Sequence, residues 1–166
     1  MIVRKTTVFP AGREEVLAKL QQLKTLQHIA WPYASFQPVG KAPEIWTAGQ
    51  TSSYQFFLFG CIPYGTHTIH IVHLDEDGIQ SEEGNEHVPV WNHQITLKLL
   101  DADHTEYTDM VVINAGWKTF FIWIWANIFY THRQRKWIRL LKDEKKKGSN
   151  RQVTDSSSDT SGYASF

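Results

Sequence analysis

The sequence predicts an α+β fold in which one long antiparallel sheet is covered on one side by helices. Three observations predict it: a β-branched opening segment, a run of strand-like segments between residues 51 and 114, and one long helical segment after Gly116. A strand, a helix, a meander of strands and a closing helix make two layers around a single core. A long antiparallel sheet tends to curl, so the closing helix would either fill the concave face or roof a cavity.

The first strand and the first helix follow from residue spacing. Residues 2–9 alternate and are rich in β-branched side chains, which predicts a strand. Leucine and valine then recur at helical spacing over residues 13–26, which predicts one amphipathic helix. We expect it to stop near Pro32, because the residue before a proline is disfavoured in the helical conformation. Residues 36–49 hold several prolines and glycines and predict irregular chain with short strands, for example at 44–47.

The middle of the chain predicts a meander of five strands. These strands are expected over residues 51–59, 66–74, 79–84, 91–100 and 105–114. The DEDG sequence that ends at Gly78 is a strong hairpin signal between the second and third of them.

The C-terminal part predicts a long helix and then a tail. The helix is expected from Trp117 to about Glu144, apolar nearly all round at first and basic later. Residues 148–166 are rich in Ser, Asp and Thr without periodicity, which predicts a disordered tail that is dispensable for folding. The predicted domain organisation is therefore a single domain over residues 1–147 followed by that tail.

Composition excludes several classes of protein. A chain of 166 residues has room for one ordinary domain. Its formal net charge of zero argues against a dedicated nucleic-acid binder. Cys61 is the one cysteine, which excludes an intrachain disulfide and a cysteine-only metal cage. The most apolar stretch, residues 120–130, is about half of the ~20 residues that cross a bilayer. We expect a cytoplasmic protein with neither a cofactor nor a metal.

Three segments resemble a known superfamily. They are TTVFPAGREEVLAKLQQL (residues 6–23), FGCIPYGTHTI (59–69), and YTDMVVINAG (107–116) followed by the long helix. Their order resembles the START-like, or SRPBCC, helix-grip superfamily, which includes polyketide cyclase/dehydrase-like proteins and plant pathogenesis-related allergens. The second segment looks like one found in a bacterial, uncharacterised subgroup. The resemblance implies a curved antiparallel sheet wrapped around the C-terminal helix. It also implies that the two hold an apolar small molecule or lipid between them, since enzymes are a minority of this superfamily.

Polar residues on two neighbouring strands are candidates for chemistry. His93 shares a strand face with Ile95 and Leu97, so it is predicted to point inward. On the next strand the resemblance favours the face of Tyr107 and Asp109 as the inner one. His93 and Asp109 would then form an acid–base pair, a purely structural pair, or a pair that orients a ligand.

The histidines also invite a metal hypothesis, which we do not adopt. Period two places His67 and His73 on one strand face, about 20 Å apart in an extended strand, so they cannot share an ion. A set from different strands, such as His67, His93 and Asp109, would be needed.

The function that we predict is the binding of an apolar small molecule or lipid between the sheet and the C-terminal helix. One alternative is a polyketide cyclase- or dehydratase-like enzyme that uses His93 and Asp109. Another is an interaction module whose cavity is filled by its own aromatic side chains. The predicted ligand-binding wall consists of Tyr54, Phe56, Leu58, His67, Ile69, Ile71, His93, Ile95, Tyr107, Asp109, Trp117, Phe120, Phe121 and Ile124.

The C-terminal helix carries more apolar surface than one sheet needs. One stripe, assigned to the cavity, consists of Trp117, Phe120, Phe121, Ile124 and Ile128. The other, predicted to face away from the sheet, consists of Ile122, Trp125 and Phe129. We expect that second stripe to form a homodimer, because a twofold contact lets one patch cover itself. One alternative is peripheral contact with a membrane through Arg133, Arg135 and Lys136. The other is that these side chains pack in the core.

Overall fold

One antiparallel sheet of seven strands curves around the C-terminal helix in the computed structural model, which describes residues 1–158 and the side chains of residues 1–148. The strand order is β1-β7-β6-β5-β4-β3-β2. The strands are β1 (Ile2–Phe9), β2 (Ala34–Pro38), β3 (Thr51–Leu58), β4 (Ile62–Asp75), β5 (Gly78–Gly84), β6 (Val90–Asp101) and β7 (His104–Asn114). The helices are α1 (Arg13–Leu20), α2 (Leu23–Ala30) and α3 (Thr119–Ser158). The predicted α+β architecture is confirmed.

The predicted helix over residues 13–26 is two helices. The chain breaks at Gln21 and Gln22, whose backbone meets a later segment. The amide of Leu23 donates to the carbonyl of Glu44 over 3.1 Å, and the amide of Trp46 donates to the carbonyl of Gln21 over 2.8 Å. These long-range bonds replace helical ones, so a periodicity that runs through the break does not reveal it.

Two strand predictions are wrong in detail. β2 covers residues 34–38 and pairs with β3 along its whole length, whereas the short strand of this region was expected at residues 44–47. A register irregularity between Ile71 and His73 also interrupts β4. His67 is therefore buried and His73 exposed, although strict alternation predicts the same face for both.

The helix α3 packs on the concave side of the sheet. Trp137 and Leu141 are fully buried, and Trp137 meets the stacked rings of Phe9 and Tyr107, whose centroids are 4.4 Å apart. Among the helices of the described residues, none is long and apolar enough to cross a membrane.

The predicted orientation of α3 is reversed. The inward side carries a row, called here the inner row, that consists of Ile122, Trp125, Phe129, Arg133 and Trp137. The stripe assigned to the cavity from sequence is instead largely in solvent; this outer stripe consists of Trp117, Phe120, Phe121, Ile124 and Ile128. Both sides of the first turns are apolar, so hydrophobicity there does not determine which side faces the sheet.

The end of α3 also differs from the prediction. The helix was expected to end near Glu144 and the tail to begin at Gly148, but the helical backbone continues to Ser158. The rest of the predicted tail, residues 159–166, lies outside the described residues. The last buried side chain of the helix within residues 1–148 is Leu141.

Candidate functional site

A cavity of about 280 Å³ lies between the sheet and α3. Strands β2 to β6, helix α2, Trp46 and the inner row of α3 form its walls. Most of the lining side chains are aliphatic or aromatic, and the polar ones include His67, Ser81, Glu83 and His93. This composition is the usual one for a small-molecule site: an apolar wall with a few polar groups that fix orientation.

Eight residues of the predicted wall line the cavity. Seven come from β3, β4 and β6, where the strand alternation gives the inward face correctly, and one comes from the first turn of α3: Phe56, Leu58, His67, Ile69, Ile71, His93, Ile95 and Phe121.

The other six predicted wall residues do not line it, for two reasons. Tyr54, Tyr107 and Asp109 are fully buried behind the wall, and the Tyr54 hydroxyl accepts a hydrogen bond from Trp46 Nε1 over 3.1 Å. The remaining three belong to the outer stripe and are exposed: Trp117, which precedes α3, and Phe120 and Ile124, which lie on the outward side of α3.

The sequence prediction missed one whole side of the cavity. Thr25 and Ile29 of α2 and Phe36 of β2 line it, as does most of the inner row of α3. It also missed Glu83, and it considered Arg133 as a membrane contact rather than as part of the cavity wall. The signal for Arg133 is its spacing, because it lies four residues from both Phe129 and Trp137.

A buried network of hydrogen bonds forms the polar end of the cavity. His93 Nε2 lies 2.9 Å from Asp109 Oδ1. Asp109 also accepts from the Tyr107 hydroxyl over 3.0 Å and from Gln134 Nε2 over 3.1 Å. Three bonds satisfy the Asp109 carboxylate behind the wall, while His93 presents its ring to the cavity.

Glu83 forms the second half of this network. Its Oε2 lies 3.0 Å from His67 Nε2, and its Oε1 accepts from the Ser81 hydroxyl over 2.5 Å. His93 Nδ1 is 3.9 Å from the same Oε1, beyond hydrogen-bond distance. One imidazole therefore lies between two carboxylates and bonds one of them.

Electrostatics keep both carboxylates ionised. Burial opposes the charge of Asp109, but Arg133 and the hydrogen bond from His93 outweigh it and lower the pKa of Asp109. Burial likewise opposes ionisation of Glu83, and His67, His93 and Ser81 together lower its pKa. Burial, followed by the charge of Asp109, raises the pKa of Tyr107 well above its ordinary value. The phenol therefore stays protonated and donates.

Arg133 brings a positive charge to the cavity wall. It is 4% exposed, and its guanidinium carbon lies 5.4 Å from the centroid of the Tyr130 ring. Burial alone would lower the pKa of Arg133, but its neighbours Tyr107 and Asp109 raise it, so the group stays charged. Its Nη2 donates to the Tyr107 hydroxyl over 3.5 Å, at the limit of a hydrogen bond.

The partly exposed lining residues mark the mouth of the cavity. Leu26 of α2, Leu58 of β3, Tyr64 of β4 and Asn85 are each partly exposed, and Phe121 is 64% exposed. The mouth therefore lies between α2, the β3–β4 turn and the first turn of α3, next to the outer stripe.

The arrangement suits orientation of a ligand and proton transfer better than metal binding. Within the described residues, no group of three or more His, Cys, Asp or Glu side chains could hold a metal ion. His93 faces the cavity with a buried carboxylate bonded to its far nitrogen, the relation that fixes the tautomer of a general base.

No protein-family model and no curated protein matches the chain. Solved structures do match its fold. The chain is similar to a START superfamily protein from Mycobacterium smegmatis, with a TM-score of 0.67 at 12% identity over 86% of this chain and 97% of that one. It is similar to the Zhui aromatase/cyclase from Streptomyces sp. R1128, with a TM-score of 0.57 at 14% identity over 87% and 92%.

A third similar structure is the Aha1 dimer from Colwellia psychrerythraea, with a TM-score of 0.61 at 12% identity over 85% of this chain and 96% of that one. Together these structures show that the chain has the START-like helix-grip fold. The resemblance predicted from three sequence segments is confirmed at the level of the fold.

Proposed function

We propose that the protein binds an apolar small molecule in the cavity between the sheet and α3. The observation that carries the proposal is the cavity itself, about 280 Å³ with largely apolar walls and one polar end. The fold supports it, because the structures with this fold include a START superfamily protein and an aromatase/cyclase. The interaction module with a filled interior, considered from sequence, is disfavoured by this open volume.

Two measurements test the proposal. Native mass spectrometry of freshly purified protein should reveal a retained compound. The neutral dye N-phenyl-1-naphthylamine should bind saturably at one dye per chain, with a rise in its fluorescence. A dye signal that never saturates, together with an empty mass spectrum, would overturn the proposal.

A second candidate function is the loss of water from a carbonyl compound, in the manner of a cyclase or dehydratase. The specific observation is that His93 lines the cavity and is held from behind by the ionised Asp109. In such a step the histidine takes a proton from the carbon beside the carbonyl, a carbon–carbon double bond forms as the carbon–oxygen bond breaks, and the imidazolium returns the proton to the leaving hydroxyl group, so that water is released and no redox partner is needed. The compound recovered from His93→Gln protein should then be heavier by one water than that from unmutated protein; identical masses would count against the enzyme.

The outer stripe is proposed to contact an anionic lipid surface. From residue 117 to residue 142 the chain has six basic residues and no acidic one. Arg135 and Arg139 are exposed. Arg135 follows Ile128 by seven residues and Arg139 follows Arg135 by four, so both lie on the same face of the helix as Ile128. Apolar side chains flanked by basic ones suit the headgroup boundary. The Aha1 structure is a dimer, so self-association through this face is the competing outcome.

A further inference from the structure

The hydrogen-bonding capacity of the polar end is unbalanced. Its two carboxylates accept five hydrogen bonds: three reach Asp109, from His93, Tyr107 and Gln134, and two reach Glu83. The acceptors at this end of the cavity are therefore engaged by the protein itself.

The donors are not. Within the described residues, three buried N–H groups that face no partner belong to the inner row of α3: Trp125 Nε1, Arg133 Nε and Trp137 Nε1. All three residues line the cavity. Buried indole and guanidinium groups nearly always find an acceptor in folded proteins, so three without one on a single cavity wall point to a missing partner.

Their spacing describes the shape of that partner. Residues 125, 133 and 137 are separated by eight and four positions, so they share one side of the helix. At 1.5 Å of rise per residue, Trp137 lies about 6 Å and Trp125 about 12 Å from Arg133 along the axis. Trp137 is fully buried and Trp125 is partly exposed, so the donors extend from the interior toward the mouth.

Charge decides which kind of acceptor fits. Glu83 and Asp109 are both anions, and Arg133 is the one buried lysine or arginine among the described residues. A ligand carboxylate would add a third negative charge in a region of low dielectric, which is costly. A carbonyl oxygen accepts the same hydrogen bonds without adding charge.

We infer that the cavity selects an elongated, uncharged apolar molecule whose carbonyl oxygens accept from Arg133 and from the indoles of the inner row. This inference rests on the proposed binding function and adds to it the chemical class of the ligand. The carbonyl supplies orientation, and the apolar walls supply the rest of the affinity.

The test compares 9-fluorenone with fluorene, which replaces the carbonyl by a methylene group in the same rigid tricycle, and with 9-fluorenecarboxylate. Each is titrated against bound N-phenyl-1-naphthylamine. Fluorenone should bind at least about tenfold more tightly than fluorene and more tightly than the carboxylate. Arg133→Met should reduce the fluorenone-to-fluorene affinity ratio to near one.

Two further variants keep the test decisive if Arg133→Met does not fold. Trp125→Phe and Trp137→Phe each remove the indole N–H together with one ring of the bicycle, and combining them should lower the ratio severalfold. Trp123→Phe is the matched control, because Trp123 lies on α3 outside the cavity and its indole already donates to the carbonyl of Ile2 over 2.8 Å. That variant should leave the ratio unchanged.

The outcomes separate the two proposals. Equal affinities for fluorenone and fluorene, with the dye bound normally, would overturn the carbonyl assignment and leave the binding function standing. Tighter binding of the carboxylate would overturn the choice of an uncharged ligand. Failure of the dye itself to bind would overturn the binding function and the assignment with it.

Discussion

Nε2 of His93 lies 2.9 Å from Oδ1 of Asp109, and that carboxylate is sealed from solvent. Because an ionised carboxylate can only accept, Nε2 must carry the proton. In the neutral ring the unprotonated nitrogen is then Nδ1, on the side of Glu83, 3.9 Å from Oε1. Asp109 therefore acts on the cavity through His93, as a positioning residue rather than as a group that meets a ligand.

Asp109 is expected to make the protein sensitive to acid. Its pKa is lowered in the folded state, below the value of about 3.9 for an unfolded aspartate. As the pH falls toward and below about 4, the unfolded chain takes up its proton first. The stability that the Asp109 carboxylate contributes is present above that range and is lost as the pH falls through the folded pKa.

The change that tests this is Asp109→Asn. It should lower the free energy of unfolding by about 3 kcal/mol at pH 7, since Arg133 then loses a buried counter-charge. The melting temperature, followed by circular dichroism, should also fall less between pH 6 and pH 3 than it does in the unmutated protein. Asp143→Asn, at an exposed position of α3, is the control. If the melting temperature of Asp109→Asn falls as steeply with pH as that of this control, the prediction is wrong.

The sequence predicts the strands of this fold well and the site less well. Ile2–Phe9 is recovered with its bounds because β1 alternates with one face in the core. The His93–Asp109 contact is recovered because the apolar neighbours of His93 give its direction. Glu83 is missed, because nothing local distinguishes a buried carboxylate in an acidic stretch from a solvated one. Its hydrogen-bond partner His67 lies on another strand, which the local sequence around Glu83 does not reveal.

The orientation of α3 is the instructive error. Its first turns are apolar on both sides, so they allow either phase. Its later turns do not, because the apolar residues among the basic ones, Trp137, Ile138, Leu140 and Leu141, centre on the side of Trp137 and Leu141. Counting back from Trp137 in steps of four residues leads to Phe129 and Trp125. Both lie on the side of the helix that the structure buries or half-buries. In α3 the basic half therefore predicts which side of the helix faces the sheet, whereas the apolar half does not.

A pair of aromatic substitutions tests that orientation. Trp137 is 0% exposed and Phe120 is 53% exposed. Trp137→Ala should cost roughly 3–5 kcal/mol of unfolding free energy, because it leaves a cavity beside Phe9 and Tyr107. Phe120→Ala should cost at most about 1 kcal/mol. Urea denaturation measures both, and equal losses would show that the assigned phase is wrong.

Two neighbouring residues of β4 allow a test of whether the dye binds in the cavity. A phenylalanine at one of them would fill the cavity, and a phenylalanine at the other controls for a general effect on the strand. Ile71 lines the cavity and is buried, whereas Val72 points to solvent. Ile71→Phe should weaken binding of N-phenyl-1-naphthylamine about tenfold, because the larger side chain occupies space that the dye needs. Val72→Phe should bind the dye as the unmutated protein does. An Ile71→Phe variant that folds and binds normally would place the dye elsewhere.

The last prediction concerns the outer stripe. Five large apolar side chains in water form a patch of a size that usually marks an interaction site. The double substitution Phe120→Ser and Ile124→Ser should reduce sedimentation with vesicles containing phosphatidylserine at least fivefold, because each buried apolar side chain contributes about 1.5–3 kcal/mol. The control is Leu99→Ser with Leu100→Ser, two exposed leucines at the far end of β6. Sedimentation should weaken with added salt, since Arg135 and Arg139 contribute by charge. If the unmutated protein ignores these vesicles but runs as a dimer that the double substitution dissociates, the partner of the stripe is a second copy of the chain.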